Sequence, residues 1–358
     1  MPLTVPFDFC DFSRTDVRCA EALSIKETLS GANHLILASS AHCGKTTLIR
    51  TTAAALACPL VEIDGRSAAG LTDLSALILK GAFRLNCPEA FRQSLLRFHR
   101  IPSITTDLMT GRVTVSFATD TNPAQLLEDS LQLLVSLSTP GNRLIVFWRD
   151  FPAVLEIAPH LDRKLRAVLE TQENISHVFT GSPERRMADI FERATSPFFH
   201  FGRWLPLSPL PEDEVRPILA EHFRPIVSEE TAQRLALDLL HAIGPHPYPL
   251  RQAAETLYRL LLTERSSDTD AVQRAIEEVI RQHAWDYERL WDSFSQSQKK
   301  VLQLIVADRP FAGLLDFPAT TLYSAAQKLV KAGILIKTPA FAVEDPFLHQ
   351  WIQLQLLV

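Results

Sequence analysis

Gly44, Lys45 and Thr46 stand in line at the head of a helix-forming run, and residues of these types in this order can hold a phosphate. A helix start leaves backbone N–H groups unpaired and carries partial positive charge, which suits an anion. Gly44 would let the backbone approach the phosphate, Lys45 would reach the β- and γ-phosphates, and Thr46 would offer its hydroxyl to Mg²⁺. Ser39, Ala41, His42, Cys43 and Thr47 complete the candidate loop, Ser39–Thr47. The full pattern, G-x-x-x-x-G-K-[ST], asks for glycine where this chain carries Ser39. The plain alternative is an ordinary helix start, where Gly and Thr are common caps.

Phosphate chemistry at such a loop also needs an acid at the end of a neighbouring buried strand, to hold the Mg²⁺ shell or orient water. The apolar run Leu144–Trp148 is the candidate strand, and it ends in Arg149-Asp150. Asp150 is therefore the candidate metal-holding and catalytic acid, against a reading in which it only opens the turn before Phe151-Pro152. Arg149 could neutralise phosphate charge but cannot ligate a metal.

These residues need a scaffold, and the apolar pattern supplies one. His34–Ala38 reads as a strand, Thr46–Leu56 as a helix and Cys58–Gly65 as a second strand, a βαβ unit that implies a parallel sheet. Arg143–Trp148, Ile175–Gly181 and Trp204–Leu207 extend the sheet to five strands, while Arg112–Phe117 alternates like a short extra strand. Helices are expected over Leu71–Phe83, Pro88–Arg100, Pro123–Ser138 and Ala158–Gln172. The texture changes at Pro209–Glu214. Helical periodicity then runs to about Glu288, broken at Gly244–Pro249. The last segment reads as a helix over Ser295–Ala307, one or two more within Pro318–Lys331, a strand ending at Lys337, a turn at Thr338–Phe341 and a return strand. That is the layout of a winged helix-turn-helix. The expected fold is α/β, with a P-loop core over residues 1–207, a helical lid over 208–288 and a winged helix over 289–358.

With 358 residues, 46% of them hydrophobic, the chain can bury two or three cores. A net charge of −5 gives no global reason to expect nucleic-acid binding. No apolar run reaches membrane-span length, and Met1–Phe7 lacks the basic start of a secretory leader. The five cysteines, Cys10, Cys19, Cys43, Cys58 and Cys87, form no C-x-x-C pair and read as reduced thiols of a cytoplasmic protein. Cys43, inside the loop, is either small filler or an oxidation-sensitive thiol at a helix start.

With both motifs placed, the chain resembles the archaeal-type ATPases of the STAND group of P-loop NTPases, relatives of AAA+ proteins. His34–Thr47 resembles the strand and Walker A motif of that family. Arg143–Phe151 resembles its Walker B strand, with Arg149-Asp150-Phe151 where the family tends to show Asp-Glu-Phe. Thr180-Gly-Ser182 is similar to the segment whose polar residue senses the γ-phosphate. Ser196–Arg203 looks like its Gly-Arg segment, which implies a phosphate contact for Arg203; a surface ion pair is the other reading. Ile243–Tyr248 resembles the lid region in which a proline, here Pro247, packs on adenine; a simple helix break is the alternative. Leu329–Leu335 and Val343–Leu348 are similar to its winged-helix segment. The resemblance implies ATP and Mg²⁺ as cofactors, and it alone favours ATP over GTP.

Three functions follow as expectations: an ATP-dependent conformational switch with slow hydrolysis, a non-hydrolysing nucleotide-binding scaffold, and a winged-helix DNA-binding regulator. Ser39 and Arg149 depart from the family pattern and weigh against fast turnover. The stretch Thr320–Lys331 offers only Lys328 and Lys331 as basic residues, a poor match to duplex phosphates. A protein partner at the lid or winged helix is expected ahead of DNA, and no membrane.

Overall fold

The computed structural model describes residues 18–31, 33–39, 43–85, 87–107, 109–207, 209–264, 270–312, 317–337 and 340–356. By internal contacts the chain divides between Leu207 and Ser208. One unit holds the described residues of 19–39 and 45–207; the other holds those of 209–356, with Arg18, Cys43 and Gly44 grouped to it.

The first unit is built on five parallel strands. In chain order it runs α1 (Cys19–Ser30), β1 (Leu35–Ala38), α2 (Lys45–Ala55), β2 (Leu60–Asp64), α3 (Leu71–Phe83), α4 (Pro88–Leu95), β3 (Ser103–Thr106), β4 (Val113–Ser116), α5 (Pro123–Leu137), β5 (Leu144–Arg149), α6 (Phe151–Glu156), α7 (Leu161–Leu169), β6 (Ile175–Gly181), α8 (Glu184–Phe191) and β7 (Arg203–Pro206). The strand order is β2-β5-β6-β1-β7, every pair parallel. Both faces of the sheet are covered, which is why β5 reads as an unbroken apolar run, while β6, equally buried, carries Ser176, His177 and Thr180 among its apolar residues. Ile145 and Phe147 of β5 face a core shared with Ile25 of α1 and Leu48 and Ile49 of α2. Val146 and Trp148 face the opposite core, with α3, α5 and α7.

One feature differs from expectation. The strand ending in Arg149 is not beside β1: β6 lies between them, and β5 pairs with β2 on its other side. The short extra strand expected within Arg112–Phe117 is present as β4, outside the five-strand sheet. It pairs antiparallel with β3 in a separate hairpin, whose Ile104 and Val115 pack on the core while Thr105 and Thr114 are exposed. The first of these strands, Ser-Ile-Thr-Thr, carries one apolar residue in four, too few to mark it by pattern.

The second unit runs α9 (Glu212–Phe223), α10 (Glu229–Ile243), α11 (Pro247–Glu264), α12 (Ala271–Gln282), α13 (Ala284–Ser293), α14 (Gln296–Val306), α15 (Ala319–Lys331), β8 (Leu335–Lys337), β9 (Phe341–Val343) and α16 (Pro346–Leu356). Local chemistry sets its boundaries. The Ser228 hydroxyl accepts from Thr231 N at the head of α10, and Ser295 with Gln298 forms a capping box on α14. Gly244, at φ 77°, ends α10 before Pro245 and Pro247. The segment Pro318–Lys331 forms one helix, followed by the antiparallel β8–β9 pair. One hydrophobic cluster runs from Leu210 to Ile352, so the helices of 208–288 and the last segment share a core. Among the described residues no helix is long and apolar enough to cross a membrane.

Candidate functional site

Parallel strands bring their carboxyl ends to one edge of a sheet, and ligands of open α/β folds bind at that edge. Ala38 of β1 is level with Gly181 of β6, and Asp64 of β2 is level with Arg149 of β5. Ser39, Ser182, Arg149, Asp150 and Asp64 therefore gather at the edge from which α2 departs.

Lys45 is the first residue of α2. Its Nζ donates to the Ser39 carbonyl at 3.1 Å and to Ser39 Oγ at 3.0 Å, and lies 3.4 Å from Ser182 Oγ. The ammonium is thus held between the ends of β1 and β6, over the start of the helix. Gly44 adopts φ 83°, a left-handed conformation that glycine accepts without strain. Thr46 is half-buried in the first turn and Thr47 is exposed. Ser39 and Cys43 are buried, and the Cys43 carbonyl accepts from Arg18 Nη2 at 3.4 Å. A thiol only 4% exposed favours the filler reading of Cys43 over a reactive one. Ala41 and His42, also expected in the loop, lie outside the described residues. A Cβ placed on Gly44 would come within 3.9 Å of Pro247 Cγ, and Pro247 begins α11.

Asp150 sits two residues past Trp148, in the left-handed region at φ 50°, and makes no side-chain cap to α6. Its carboxylate pairs with the guanidinium of Arg66, on the turn that follows β2. Gly65 packs so closely on this corner that a Cβ there would fall 2.6 Å from the Asp150 carbonyl. Asp150, expected as the metal-holding acid, is thus engaged on the β2 side. Arg149 Nη1 lies 3.4 Å from Asp64 Oδ2, so two Asp/Arg pairs occupy the β2–β5 corner.

Arg203 is not brought to the loop. It opens β7 level with Leu35, the first residue of β1, at the amino edge of the sheet, and donates to Thr28 Oγ1 of α1 at 3.1 Å. The physical reason is strand direction: the Gly-Arg segment enters its strand where the phosphate loop's strand also begins. A phosphate contact for Arg203 would need the other end.

Below the edge lies a buried polar chain that sequence reading missed. Trp148 Nε1 donates to His177 Nδ1 at 3.1 Å, and His177 Nε2 meets Gln172 Oε1 at 3.0 Å. An indole only donates, so Nδ1 of His177 accepts and Nε2 carries the proton. The His177 backbone N–H donates to His34 Nδ1 at 3.2 Å. Burial, reinforced by Arg166, lowers the His34 pKa to about 4; burial and neighbouring His34 lower that of His177 well below its usual value. A histidine inside each of two apolar runs, at positions 34 and 177, was the available signal. Asp64 and Arg66 were also missed, because Asp64-Gly65 reads as a strand-ending turn. Ser182 entered only through a family resemblance.

A nucleotide phosphate fits the loop: a helix start, a left-handed glycine and a lysine converge there. A divalent ion fits less well. Thr46 offers a hydroxyl, but the strand-end residue of β5 is a guanidinium and the next carboxylate is paired with Arg66. Among the described residues no group of three or more His, Cys, Asp or Glu is placed to hold a metal.

No protein-family profile matches the chain, and no curated protein matches it. Solved structures do. The Walker-type ATPase PABY2304 of Pyrococcus abyssi aligns at TM-score 0.66 and 17% identity, over 94% of this chain and 95% of that one. The Aeropyrum pernix ORC2 protein, in its ADPNP-ADP complexes, aligns at TM-score 0.55 and 16% identity, over 96% and 95% of the two chains. The Aeropyrum pernix ORC1 protein in complex with DNA aligns at TM-score 0.52 and 13% identity, over 97% and 96%. These likenesses span both units and concern the fold. The chain has a P-loop NTPase fold, a parallel five-strand sheet wrapped by helices, followed by a helical C-terminal region.

Proposed function

We propose that this protein binds ATP at the Ser39–Thr47 loop and uses it as a slow conformational switch. The observation that carries the reading is the position of Lys45, whose ammonium is held at the ends of β1 and β6 over the head of α2. An ammonium and a helix N-terminus aimed at one point are what a polyphosphate requires. Pro247 is proposed as the adenine-packing residue on the family resemblance alone. The choice of ATP over GTP rests on the family resemblance. In this reading the last segment, with α14, α15 and the β8–β9 pair, serves as a winged helix for contact with a protein partner.

In this reading the chain's own residues do the work. Lys45 and the N–H groups of α2 bind and orient the phosphates, and Ser182 holds the lysine in place. Mg²⁺, when bound, supplies further positive charge at the phosphates, with Thr46 as its protein ligand. Asp150 is the acid available to orient water, and turnover requires its release from Arg66. That pair favours the second reading, a nucleotide-binding scaffold that does not hydrolyse. The ORC1 protein's complex with DNA raises DNA as a partner here too. Lys328 and Lys331, both in the last turn of α15, are the basic residues of that helix, which leaves the DNA reading third.

The test is isothermal titration with ATP, followed by a steady-state phosphate-release assay. Lys45→Ala should weaken binding by about 100-fold or more, since a charge-assisted contact to the phosphates is lost. Equal affinities for wild type and a folded Lys45→Ala variant would remove the loop from consideration. Phosphate release no faster than that of the variant would select the scaffold reading.

A further inference from the structure

We infer that Arg149 is a second phosphate-binding cation, standing where a divalent ion would otherwise be needed, so that this protein binds nucleotide without requiring Mg²⁺. The inference rests on the nucleotide reading above.

The orientation of Arg149 follows from strand alternation. Ile145 and Phe147 of β5 face the core that contains α2, and Val146 and Trp148 face away from it. Side chains along a strand alternate, so Arg149 emerges on the α2 face. The ion pair with Asp64 agrees with this, because Glu62, two residues earlier on β2, is bonded to Arg50 of α2 through both carboxylate oxygens, at 2.6 and 2.7 Å.

That bidentate bond also sets the level. From Arg50 back to Thr46 is four helical residues, a rise of about 6 Å toward the carboxyl edge. From Glu62 on to Asp64 is two strand residues, about 6.6 Å in the same direction. Thr46 and the Asp64–Arg149 pair therefore rise to the same level, on the same face. On the other side of β5, Trp148 is level with Phe179, which puts Arg149 level with Thr180, two residues before the Ser182 that touches Lys45. Arg149 and Lys45 thus approach the head of α2 from two sides.

The guanidinium is available. Its partner Asp64 stands 3.4 Å away and both side chains are about one-third exposed, at 37% and 33%. Such a pair is weak and exchanges readily. A triphosphate offers denser negative charge and planar oxygen pairs that suit a guanidinium. A cation at Arg149 also repels a divalent ion, while Asp150, the next residue in the chain, is held by Arg66.

The experiment is titration calorimetry with ATP in excess EDTA and in excess Mg²⁺, on wild type, Arg149→Ala, Arg149→Asp, Arg149→Lys and Asp64→Asn, with circular dichroism to establish folding. Wild type is expected to bind with affinities within about 3-fold in the two buffers. Arg149→Ala should lose about 10-fold or more in EDTA, the size of a charge-assisted contact. Arg149→Lys should keep metal-independent binding, and Arg149→Asp should bind only with Mg²⁺. Asp64→Asn, which releases the guanidinium, should bind as tightly as wild type or tighter. Wild-type binding that is lost in EDTA and restored by Mg²⁺, or a folded Arg149→Ala that binds like wild type in EDTA, would overturn this inference alone. Binding in neither buffer would overturn it together with the nucleotide reading.

Discussion

Lys45 Nζ rests 3.0 Å from Ser39 Oγ, so the residue that breaks the glycine pattern is also a partner of the residue that completes it. The serine hydroxyl and its own carbonyl both accept from the ammonium. The Ser39 side chain therefore helps to hold Lys45 before a ligand arrives. Ser39→Gly removes one of these acceptors, a hydrogen bond to a charged group worth about 1.5 kcal/mol or more. We expect ATP to bind up to about 10-fold more tightly to Ser39→Gly, because less must be given up by the lysine. Calorimetry against wild type measures it, and weaker binding by the variant would refute a competing role for Ser39.

The Arg66–Asp150 pair governs turnover in the proposed mechanism. Arg66→Ala should leave ATP affinity unchanged within about 3-fold and raise phosphate release, since Asp150 is then free to orient water. The double variant Arg66→Ala, Asp150→Asn should return to the basal rate. Arg66 is 72% exposed, so its loss should cost stability by no more than about 1 kcal/mol. Unchanged phosphate release in Arg66→Ala would mean that Asp150 has no part in catalysis.

Stability should fall on mild acidification. His34 and His177 are neutral in the folded protein, with pKa values held down chiefly by burial. Once unfolded, both take up protons near the ordinary value of 6.5. The unfolded state therefore binds more protons as pH falls, and stability present above pH 6.5 is lost toward pH 4. His34 alone accounts for a loss of about 3 kcal/mol across that window. His246 and His349, also lowered by burial, act in the same direction. Urea midpoints at pH 7.5, 6 and 5 should decrease steadily, before most carboxylates titrate. Constant midpoints would contradict the neutral histidine chain.

In the second unit, Asp345 joins two elements. Its Oδ2 accepts from Tyr287 of α13 at 3.1 Å, and its Oδ1 accepts from Phe347 N and Leu348 N at the head of α16. Burial and the nearby Asp345 carboxylate raise the Tyr287 pKa, so the phenol stays protonated and donates. Tyr287→Phe removes one hydrogen bond and should cost about 1 kcal/mol. Asp345→Ala removes that bond and the helix cap together and should cost about 2–3 kcal/mol. Thermal or urea unfolding compares the two, and equal losses would show that the cap contributes nothing.

Much of the fold was legible because it is written in local pattern. Strands buried on both faces, such as Leu144–Trp148, read as continuous apolar runs, and helices such as Pro123–Leu137 carry a cap and a one-sided apolar stripe. The hairpin strand Ser103–Thr106 was not legible, because only Ile104 of its residues packs on the core. At the candidate site, the helix start at Lys45 was legible because it is written in neighbours along the chain. The partners of Asp150 and Arg149 were not, because Arg66 and Asp64 lie more than eighty residues away in sequence.

The sequence by itself determined where a phosphate would be sought: a glycine, a lysine and a threonine stand in line at a helix start. Only the tertiary structure decided what surrounds that helix start. Register set Asp64 opposite Arg149, a left-handed turn gave Asp150 to Arg66, and strand direction carried Arg203 to the far edge of the sheet. Those outcomes depend on which strand lies beside which and at what level. Strand order is set by pairing between segments far apart in the chain, so residues read one segment at a time do not reveal it.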